Sequence, residues 1–200
     1  MKMRSIPEKE SMTVAFLSDR EQLSDSKLLD EVVSLANTFG GIIFVGIEDD
    51  GEITGLHKEY NDFSVIKSLI ENKTEPSVYV QTKIVEEETA KGTLSVLAIT
   101  VPMSRNVIVS TDGRIMGRRL ERNGLPEVIS WSQDNVSIRT KELETLAYSE
   151  KLLASASDDD SDAIEISRLK DFVANHPESD KNDDLHFLQL KYALKHIFGN

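Results

Sequence analysis

Apolar residues near the start of the chain follow two different periods. Lys27–Phe39 reads KLLDEVVSLANTF, and its apolar residues recur every three or four positions, which predicts an amphipathic helix with one buried face. Thr13–Ser18 (TVAFLS) and Ile42–Ile47 (IIFVGI) are short apolar segments that predict a strand on each side of that helix. The second segment is apolar without alternation, so we expect its strand to be covered on both faces.

Glycines mark two chain reversals in this region. Gly40 and Gly41 follow the predicted helix, where glycine most easily adopts the left-handed conformation that ends a helix. Asp50-Gly51 is typical of a two-residue hairpin turn. The sequence therefore predicts that Glu52–Leu56 (EITGL) returns as a strand beside Ile42–Ile47.

The middle of the chain predicts another helix and further strands. Tyr60–Asn72 has helical spacing, whereas Val78–Val85 and Leu94–Val101 have the pattern of strands joined by a turn. Asn106–Ser110 and Arg114–Glu121 flank the turn sequence TDGR and are predicted to form a hairpin. We therefore predict an α+β fold, with a mostly antiparallel sheet and two packed helices.

The character of the sequence changes after residue 147. The stretch SASDDDSD is acidic and built from small residues, which is typical of a linker. Beyond it, apolar residues at helical spacing predict a small helical C-terminal appendage. The predicted organisation is a main domain over residues 1–147, an acidic linker over 148–162 and a helical segment over 163–200.

Composition narrows the functional classes. The absence of cysteine rules out disulfides and thiolate metal sites, and it suits a reducing compartment. The N-terminus has no apolar signal-peptide core, and the longest apolar run, residues 41–47, is far too short to span a bilayer. We therefore expect a cytoplasmic protein with no membrane association. The formal net charge of −12 argues against a protein that coats nucleic acid through bulk charge.

One segment departs from this acidic character. Ser104–Gly124 carries five arginines against Asp112 and Glu121, a local charge of +3. A β-ribbon with arginines can lie along a phosphate backbone, but charge on an edge hairpin also protects against aggregation. Adjacent residues of a strand face opposite sides, so the two consecutive arginines should diverge. The five are Arg105, Arg114, Arg118, Arg119 and Arg122.

The motifs together resemble a known family. Ala36–Gly41 (ANTFGG), followed by Phe44–Gly51 (FVGIEDDG) and Ile53–Leu56 (ITGL), is similar to the AlbA-type domain of Schlafen proteins. The resemblance covers roughly residues 10 to 125. It implies binding of DNA or RNA, as in bacterial and archaeal relatives described as transcriptional regulators. In some Schlafen relatives it also implies a carboxylate-dependent ribonuclease.

The nuclease activity needs carboxylates that this sequence retains only in part. Metal-assisted cleavage of a phosphodiester takes about three convergent carboxylates. Glu10 matches the first position of the nuclease-competent relatives, and Glu48 and Asp49 lie near the third. The second position falls in Ala15–Leu17 (AFL), which contains no carboxylate. We therefore expect no catalytic residues and no metal or other cofactor, with Mg²⁺ relevant only under the nuclease alternative.

The nucleic-acid-binding candidates come from two segments, each with a structural alternative. Glycines after a helix can serve solely as a cap packed under the sheet, or they can allow a phosphate to approach the backbone. A helix C-terminus repels anions through its dipole, so any phosphate contact there would come from loop amides and side chains. The candidates are Asn37, Thr38, Gly40, Gly41, Arg105, Arg114, Arg118, Arg119 and Arg122.

The acids Glu48, Asp49 and Asp50 have two open interpretations as well: they form a soluble turn, or they contribute a weak Mg²⁺ or nucleotide site. Other motif classes are absent, since the sequence contains neither GxxxxGK[ST] nor GxSxG. Its four histidines are scattered without zinc-ligand spacing. Trp131 and Tyr79 are isolated, so they do not predict a base-stacking platform.

The sequence thus leaves three functional hypotheses. The first is a non-catalytic nucleic-acid-binding domain of a transcriptional-regulator-like protein. The second is a divalent-metal-dependent endoribonuclease of the Schlafen type. The third is a module for self-association or protein interaction, which the net charge favours. A homodimer is plausible because a small sheet with exposed edges gains by pairing.

Overall fold

A four-stranded sheet forms the centre of the protein. The computed structural model describes residues 6–21, 23–57, 63–90 and 92–155. The strands of this sheet are β1 (Val14–Leu17), β2 (Gly41–Val45), β4 (Gln81–Thr89) and β5 (Gly92–Val101), in the order β1-β2-β5-β4. β1 and β2 are parallel, and the other two pairs are antiparallel.

In the described part of the chain, the remaining elements are three helices and two small strand pairs. β3 (Thr74–Glu75) pairs with β6 (Val109–Ser110), and β7 (Met116–Leu120) pairs with β8 (Pro126–Ser130). The helices are α1 (Asp25–Asn37), α2 (Ser64–Lys73) and α3 (Gln133–Ser155). These elements confirm the α+β class.

The sheet has a different apolar layer on each face. α1 and α2 cover one face, where Leu28, Val32 and Ile70 pack with Ile43 and Leu97 of the sheet. On the other face Phe16 and Phe44 meet edge to face at 6.4 Å, and Ile6 of the N-terminal segment packs with them. β2 is therefore buried on both faces, as its unbroken apolar sequence predicts.

The acidic turn differs from the predicted two-residue hairpin. The N–H of Gly51 donates to the carbonyl of Glu48 and the N–H of Glu48 to that of Glu52, so Asp49 and Asp50 are the central residues. Gly51 follows with φ of +86°, which is the arrangement of a turn with a bulge. The predicted return strand is wrong: it is reduced to a single bridge between Ile47 and Ile53.

The predicted arginine hairpin is also wrong in its pairing. A tight turn exists at TDGR, where the N–H of Gly113 donates to the carbonyl of Ser110. Its two arms then separate, because β6 pairs with β3 and β7 pairs with β8. The turn at TDGR was recognisable in the sequence, but the partner of β6 lies far away in the chain. β7 and β8 form a local hairpin across Glu121–Leu125, and its Asn123-Gly124 is itself a turn signal.

α3 was not anticipated, since much of it is exposed and it lacks a strong apolar stripe. It continues through residues 148–155, the first part of the predicted linker; residues 156–200, with the predicted C-terminal helices, lie outside the described residues. The chain divides into two units, Met1–Leu146 and Ala147–Asn200. None of the described helices combines the length and apolarity that a membrane span requires.

Candidate nucleic-acid interface

Asn37 is an internal connector at the C-terminal end of α1. The residue is buried, and its side-chain amide donates to the carbonyls of Ile108 and Met116, both at 2.9 Å. Its side-chain oxygen accepts the N–H of Ile108 at 2.7 Å. Asn37 therefore joins the helix to the β5–β6 loop and to β7, and it is not exposed to an external ligand.

Thr38 forms hydrogen bonds with two further elements at the same helix end. Its hydroxyl donates to the carbonyl of Ser34 at 2.6 Å and accepts the backbone N–H of Arg118 at 3.1 Å. Its carbonyl accepts from the guanidinium of Arg139, on α3, at 3.2 Å. A cation at this point is favoured by the negative end of the helix dipole, and the sequence analysis had not singled out Arg139.

Gly40 and Gly41 are sites of close backbone approach. A Cβ on Gly40 would lie 2.6 Å from the backbone nitrogen of Met103, so the β5–β6 loop passes directly over this residue. A Cβ on Gly41 would overlap the backbone of Thr13, and its φ of +150° disfavours any other residue. Both glycines are needed for internal packing, and whether they also contact a phosphate stays a prediction.

Two of the predicted arginines have internal partners. Nη1 of Arg114 donates to both carboxylate oxygens of Asp30 on α1, at 2.5 and 2.6 Å. The side chain of Arg118 is only 1% exposed; its nearest carboxylate oxygens are those of Glu31 at 3.6 Å and Glu10 at 4.0 Å. Arg118 therefore faces inward, whereas Arg119 is exposed, as expected for adjacent strand residues.

We name Glu10, Glu31 and Arg118 the internal charge cluster. Burial raises the pKa of Glu31 to about 7; Arg118 opposes this rise, and the carboxylates of Glu10, Asp30 and Asp49 add to it. Burial also raises the pKa of Glu10, against a hydrogen bond from the N–H of Phe16 at 2.8 Å and the charge of Arg118. Acidic side chains thus surround one buried cation, and together they carry excess negative charge.

The raised pKa of Glu31 predicts a stability that declines with pH. The folded state holds this proton up to about pH 7, whereas the unfolded chain releases it near pH 4.5. The contribution of protonated Glu31 to the free energy of unfolding is fully present below pH 4.5. It is lost as the pH rises to about 7, and the loss is at most about 3 kcal/mol. We expect Glu31→Gln to reduce this decline, of which the raised pKa of Glu10 leaves a part, and to be more stable than the wild type at pH 8, since Glu10 still compensates Arg118. Urea unfolding across this range measures it.

The exposed Glu71 of α2 provides the matched control. Glu71→Gln makes the same chemical change outside the internal charge cluster, and it should retain the wild-type decline with pH. If the free energy of unfolding changed with pH between 5 and 7 in the same way in the wild type and in Glu31→Gln, the assignment to Glu31 would be contradicted.

The carboxylates do not fit the divalent cation of the nuclease alternative. Among the described residues, no three Asp, Glu or His side chains are grouped so that they could hold a metal ion. A guanidinium already lies between Glu10 and Glu31, and its positive charge repels a second cation at this position. Two features therefore disfavour binding of a divalent cation: the missing carboxylate in Ala15–Leu17 and the charge of the buried Arg118.

The acidic turn is held mainly by its own hydrogen bonds. Glu48 accepts the hydroxyls of Ser18 at 2.9 Å and Thr54 at 2.8 Å, and Asp50 accepts the N–H of Glu52 at 2.9 Å. Asp49 is exposed, and its charge acts on the internal charge cluster. For Glu48 and Asp50 the structure favours the interpretation as turn residues.

An exposed group surrounds the helix end. Arg105 lies in the β5–β6 loop beside Ser104, whose N–H donates to the carbonyl of Ala36 at 2.8 Å. Phe39 is 48% exposed, and Met103 beside Gly40 is 45% exposed. The sequence analysis missed both, although an apolar aromatic between Thr38 and Gly40 was a visible signal. We call the exposed residues here the helix-end surface: Phe39, Met103 and Arg105. Arg119 of β7 and Arg122 of the β7–β8 turn are exposed as well.

The fold and this site define an α+β domain with a glycine-flanked helix end and an internal carboxylate–arginine cluster. The chain belongs to the Schlafen AlbA_2 family: the model of that family, described as "Schlafen, AlbA_2", matches residues 10–126. The resemblance identified in the sequence is thereby confirmed. Membership in this family indicates a function related to nucleic acid.

Comparison with individual proteins adds little. A search of the curated proteins found no match. Among solved structures, the DIP2311 protein from Corynebacterium diphtheriae is similar at 27% identity, with a TM-score of 0.41. The match covers 54% of this chain and 21% of that chain, so this protein corresponds to about a fifth of the length of that relative.

Proposed function

We propose that this domain binds DNA or RNA without cleaving it, as the nucleic-acid-binding module of a transcriptional-regulator-like protein. The observation that carries the proposal is the helix-end surface of a Schlafen AlbA_2 family member. There, the β5–β6 loop with the exposed Arg105 lies against the end of α1, next to the exposed Phe39, and the β7–β8 hairpin carries the exposed Arg119 and Arg122. Arginines bind phosphate oxygens, and an aromatic ring can stack on a base.

The exposed arginines can exchange their present partners for phosphate at small cost. Arg119 pairs with Glu127 at 2.9 Å, but both side chains are substantially exposed, and such ion pairs contribute little. Arg105 and Arg122 are exposed as well. Arg114 is hydrogen-bonded to Asp30, and the buried Arg118 lies 3.6 Å from Glu31, so both support the fold from within rather than contact the ligand.

The net charge of the chain shapes how this binding would behave. At −12 the protein as a whole repels a polyanion, so attraction must be local to the arginines. Binding of this kind releases counterions and weakens with salt in proportion to the number of phosphates contacted. We therefore expect measurable affinity at low salt and little at high salt.

The absence of cleavage follows from the internal charge cluster. Arg118 lies 4.0 Å from Glu10, the residue that matches the first carboxylate position of nuclease-competent relatives, and its positive charge opposes a divalent cation there. The proposed domain accordingly holds nucleic acid without acting on its phosphodiester bonds. Incubation of labelled structured RNA with excess protein and Mn²⁺ tests this directly, and accumulation of cleavage products would favour the nuclease alternative.

Substitution of the exposed arginines tests the interface. We expect Arg105→Ala, Arg119→Ala and Arg122→Ala together to weaken binding of labelled single- and double-stranded DNA and RNA. The slope of log K against log salt should shrink by about 0.7–0.9 for each lost phosphate contact. Fluorescence anisotropy over a salt series measures both quantities.

The control removes the same charge elsewhere. Lys27, at the start of α1, and Lys67 and Lys73, on α2, are exposed, and their triple alanine variant should keep the wild-type salt slope. Equal losses in the two variants would show that only total charge matters and would remove the proposed interface. Failure of the wild type to bind any of the four ligands at low salt would remove the proposed function itself.

We also propose that the domain functions as a homodimer, because a two-fold pair presents two helix-end surfaces to one polymer. Two linked contacts bind a long ligand more tightly than one.

A further inference from the structure

Trp131 is the single tryptophan of the chain. It lies directly after β8, where its N–H donates to the carbonyl of Ile115 at 2.8 Å and adds one pair to the β7–β8 ladder. Within the described residues its side chain belongs to neither apolar layer of the central sheet, and the residue is half-buried. Part of a large aromatic ring is therefore available on the hairpin, outside the core.

Gly117 of β7 provides the space that the indole occupies. It is paired with Ile129, which makes it the diagonal neighbour of Trp131, and a long aromatic side chain can reach such a position. A Cβ on Gly117 would overlap Nε1 and Cε2 of the indole. The φ of Gly117 is not in the left-handed region, so glycine is needed here for space and not for conformation. The ring thus lies against the backbone of β7.

Arg119 projects from the same face of the hairpin as this ring. Gly117 and Arg119 are two residues apart on one strand, so the space that the indole fills and the side chain of Arg119 lie on the same side. The opposite side carries Arg118, which is buried beside Glu31, whereas Arg119 is 61% exposed. Trp131 is isolated in the sequence, but the fold gives it a cation on the same face. We name Trp131 and Arg119 the hairpin site.

The end of α1 holds this hairpin in place. The amide of Asn37 donates to the carbonyl of Met116 at 2.9 Å, and the hydroxyl of Thr38 accepts the N–H of Arg118 at 3.1 Å. Both of these backbone groups lie on the edge of β7 that faces away from β8, because the odd-numbered residues of β7 bond to β8. β7 is therefore bonded on both edges around Gly117, which positions the hairpin site before a ligand binds.

The two side chains of the hairpin site match the two parts of a nucleotide. An indole ring can stack on a base, and a guanidinium binds phosphate oxygens. Two residues of a strand are about 6.6–6.8 Å apart, a distance that one nucleotide can span between its base and its phosphate. Arg119 now pairs with the partly exposed Glu127 at 2.9 Å, and phosphate can replace such a partner at small cost.

Stacking on Trp131 requires an unpaired base. In a duplex the neighbouring bases cover both faces of each base, so a ring on a protein surface cannot stack on them. A single strand exposes these faces, and aromatic side chains bind them with little dependence on sequence. A duplex can therefore use Arg119 through its phosphates but not Trp131.

We propose that Trp131 stacks on an unpaired base while Arg119 binds an adjacent phosphate, so that the domain prefers single-stranded DNA or RNA to a duplex. The inference rests on the proposed nucleic-acid binding and names the class of ligand. The hairpin site supplies this preference without a preference for particular bases, since every base has a face on which an indole can stack.

Fluorescence of the wild type tests the stacking directly, because Trp131 is the only tryptophan. We expect a single-stranded oligonucleotide to quench the emission. The same strand with abasic residues and the matched duplex should leave it unchanged, even at concentrations where anisotropy shows that they bind. Equal quenching by the normal and abasic strands, or binding of the single strand without a change in emission, overturns the inference and leaves the proposed function intact. Failure of every ligand to bind removes both.

Trp131→Leu tests the contribution of the ring to affinity. We expect the affinity for the single strand to fall about tenfold, with the same salt slope because no charge is lost. Affinity for the duplex should stay within about twofold of the wild type. Arg119→Ala should instead reduce the single-strand salt slope by about 0.7. Trp131→Phe retains a ring and should keep most of the affinity, and far-ultraviolet circular dichroism establishes that each variant is folded.

Tyr79→Leu is the matched control. It removes an aromatic ring that is 69% exposed, between β3 and β4, and it should leave the affinity for the single strand unchanged. Equal losses in Trp131→Leu and Tyr79→Leu would reject the hairpin site. A loss in Trp131→Leu that is as large for the duplex as for the single strand would reject the preference for unpaired bases.

Discussion

Arg118→Met is expected to be among the most destabilising single substitutions in this domain. The guanidinium is 1% exposed and is the cation between Glu10 and Glu31. Its removal leaves two partly buried carboxylates without compensation; breaking a fully buried pair typically costs about 3–5 kcal/mol of folding free energy, which sets the upper range here. Urea unfolding at pH 8 should reveal this loss. At pH 5 the loss should be smaller, because Glu31, with its pKa raised to about 7, is then protonated in the folded state.

Arg119→Met is the matched control. It removes the same functional group from the next residue of β7, where the side chain is 61% exposed and pairs with the partly exposed Glu127. We expect a change below about 1 kcal/mol at either pH. If both variants lost the same stability, or if the loss at Arg118 were identical at pH 5 and pH 8, the internal charge cluster would have to be abandoned as the explanation.

Asn37→Ala is expected to have the second large effect. The side chain serves three backbone groups: the carbonyls of Ile108 and Met116 and the N–H of Ile108. Alanine leaves these groups buried without their partner, at about 1–3 kcal/mol for each group that water cannot reach. We expect a total loss of at least about 3 kcal/mol, measured by thermal or urea unfolding.

Two further variants separate hydrogen bonding from size. Asn37→Asp preserves the shape and the acceptor but removes the amide donors and sets a carboxylate against two carbonyls, so it should be at least as destabilising as alanine. Asn106→Ala removes an amide from an exposed loop position and should change stability by less than about 0.5 kcal/mol. Near-wild-type stability of Asn37→Asp would contradict the assigned hydrogen bonds.

The different positions of Arg118 and Arg119 decide which substitutions can test binding. From the sequence, both arginines are equal candidates for phosphate contact. The structure separates them into a buried residue and an exposed one. A loss of binding after substitution of Arg118 would therefore report on folding, whereas Arg105, Arg119 and Arg122 can be changed with little effect on stability.

Local sequence determined several of the elements and the family. The apolar period of Lys27–Phe39 predicted α1, and the unbroken apolar run Ile42–Ile47 predicted a strand buried on both faces, as observed for β2. Such patterns can be recognised in a sequence because burial of one helix face or of both strand faces is reflected in the spacing of apolar residues. The glycine-rich motif between these elements was sufficient to identify the family, which the match over residues 10–126 confirms.

Only the tertiary structure decided the strand partners and the positions of the charges. β6 pairs with β3, which precedes β4 and β5 in the chain, and such pairing depends on contacts that a local pattern does not contain. β7 instead forms a local hairpin with β8 across the turn at Glu121–Leu125. Glu10, Glu31 and Arg118 come from three separate segments, and no spacing in the sequence indicates that they meet. The sequence alone does not distinguish an arginine that faces solvent from one that faces a partly buried carboxylate. Its role is set by the dielectric environment and by the charges that the fold brings beside it.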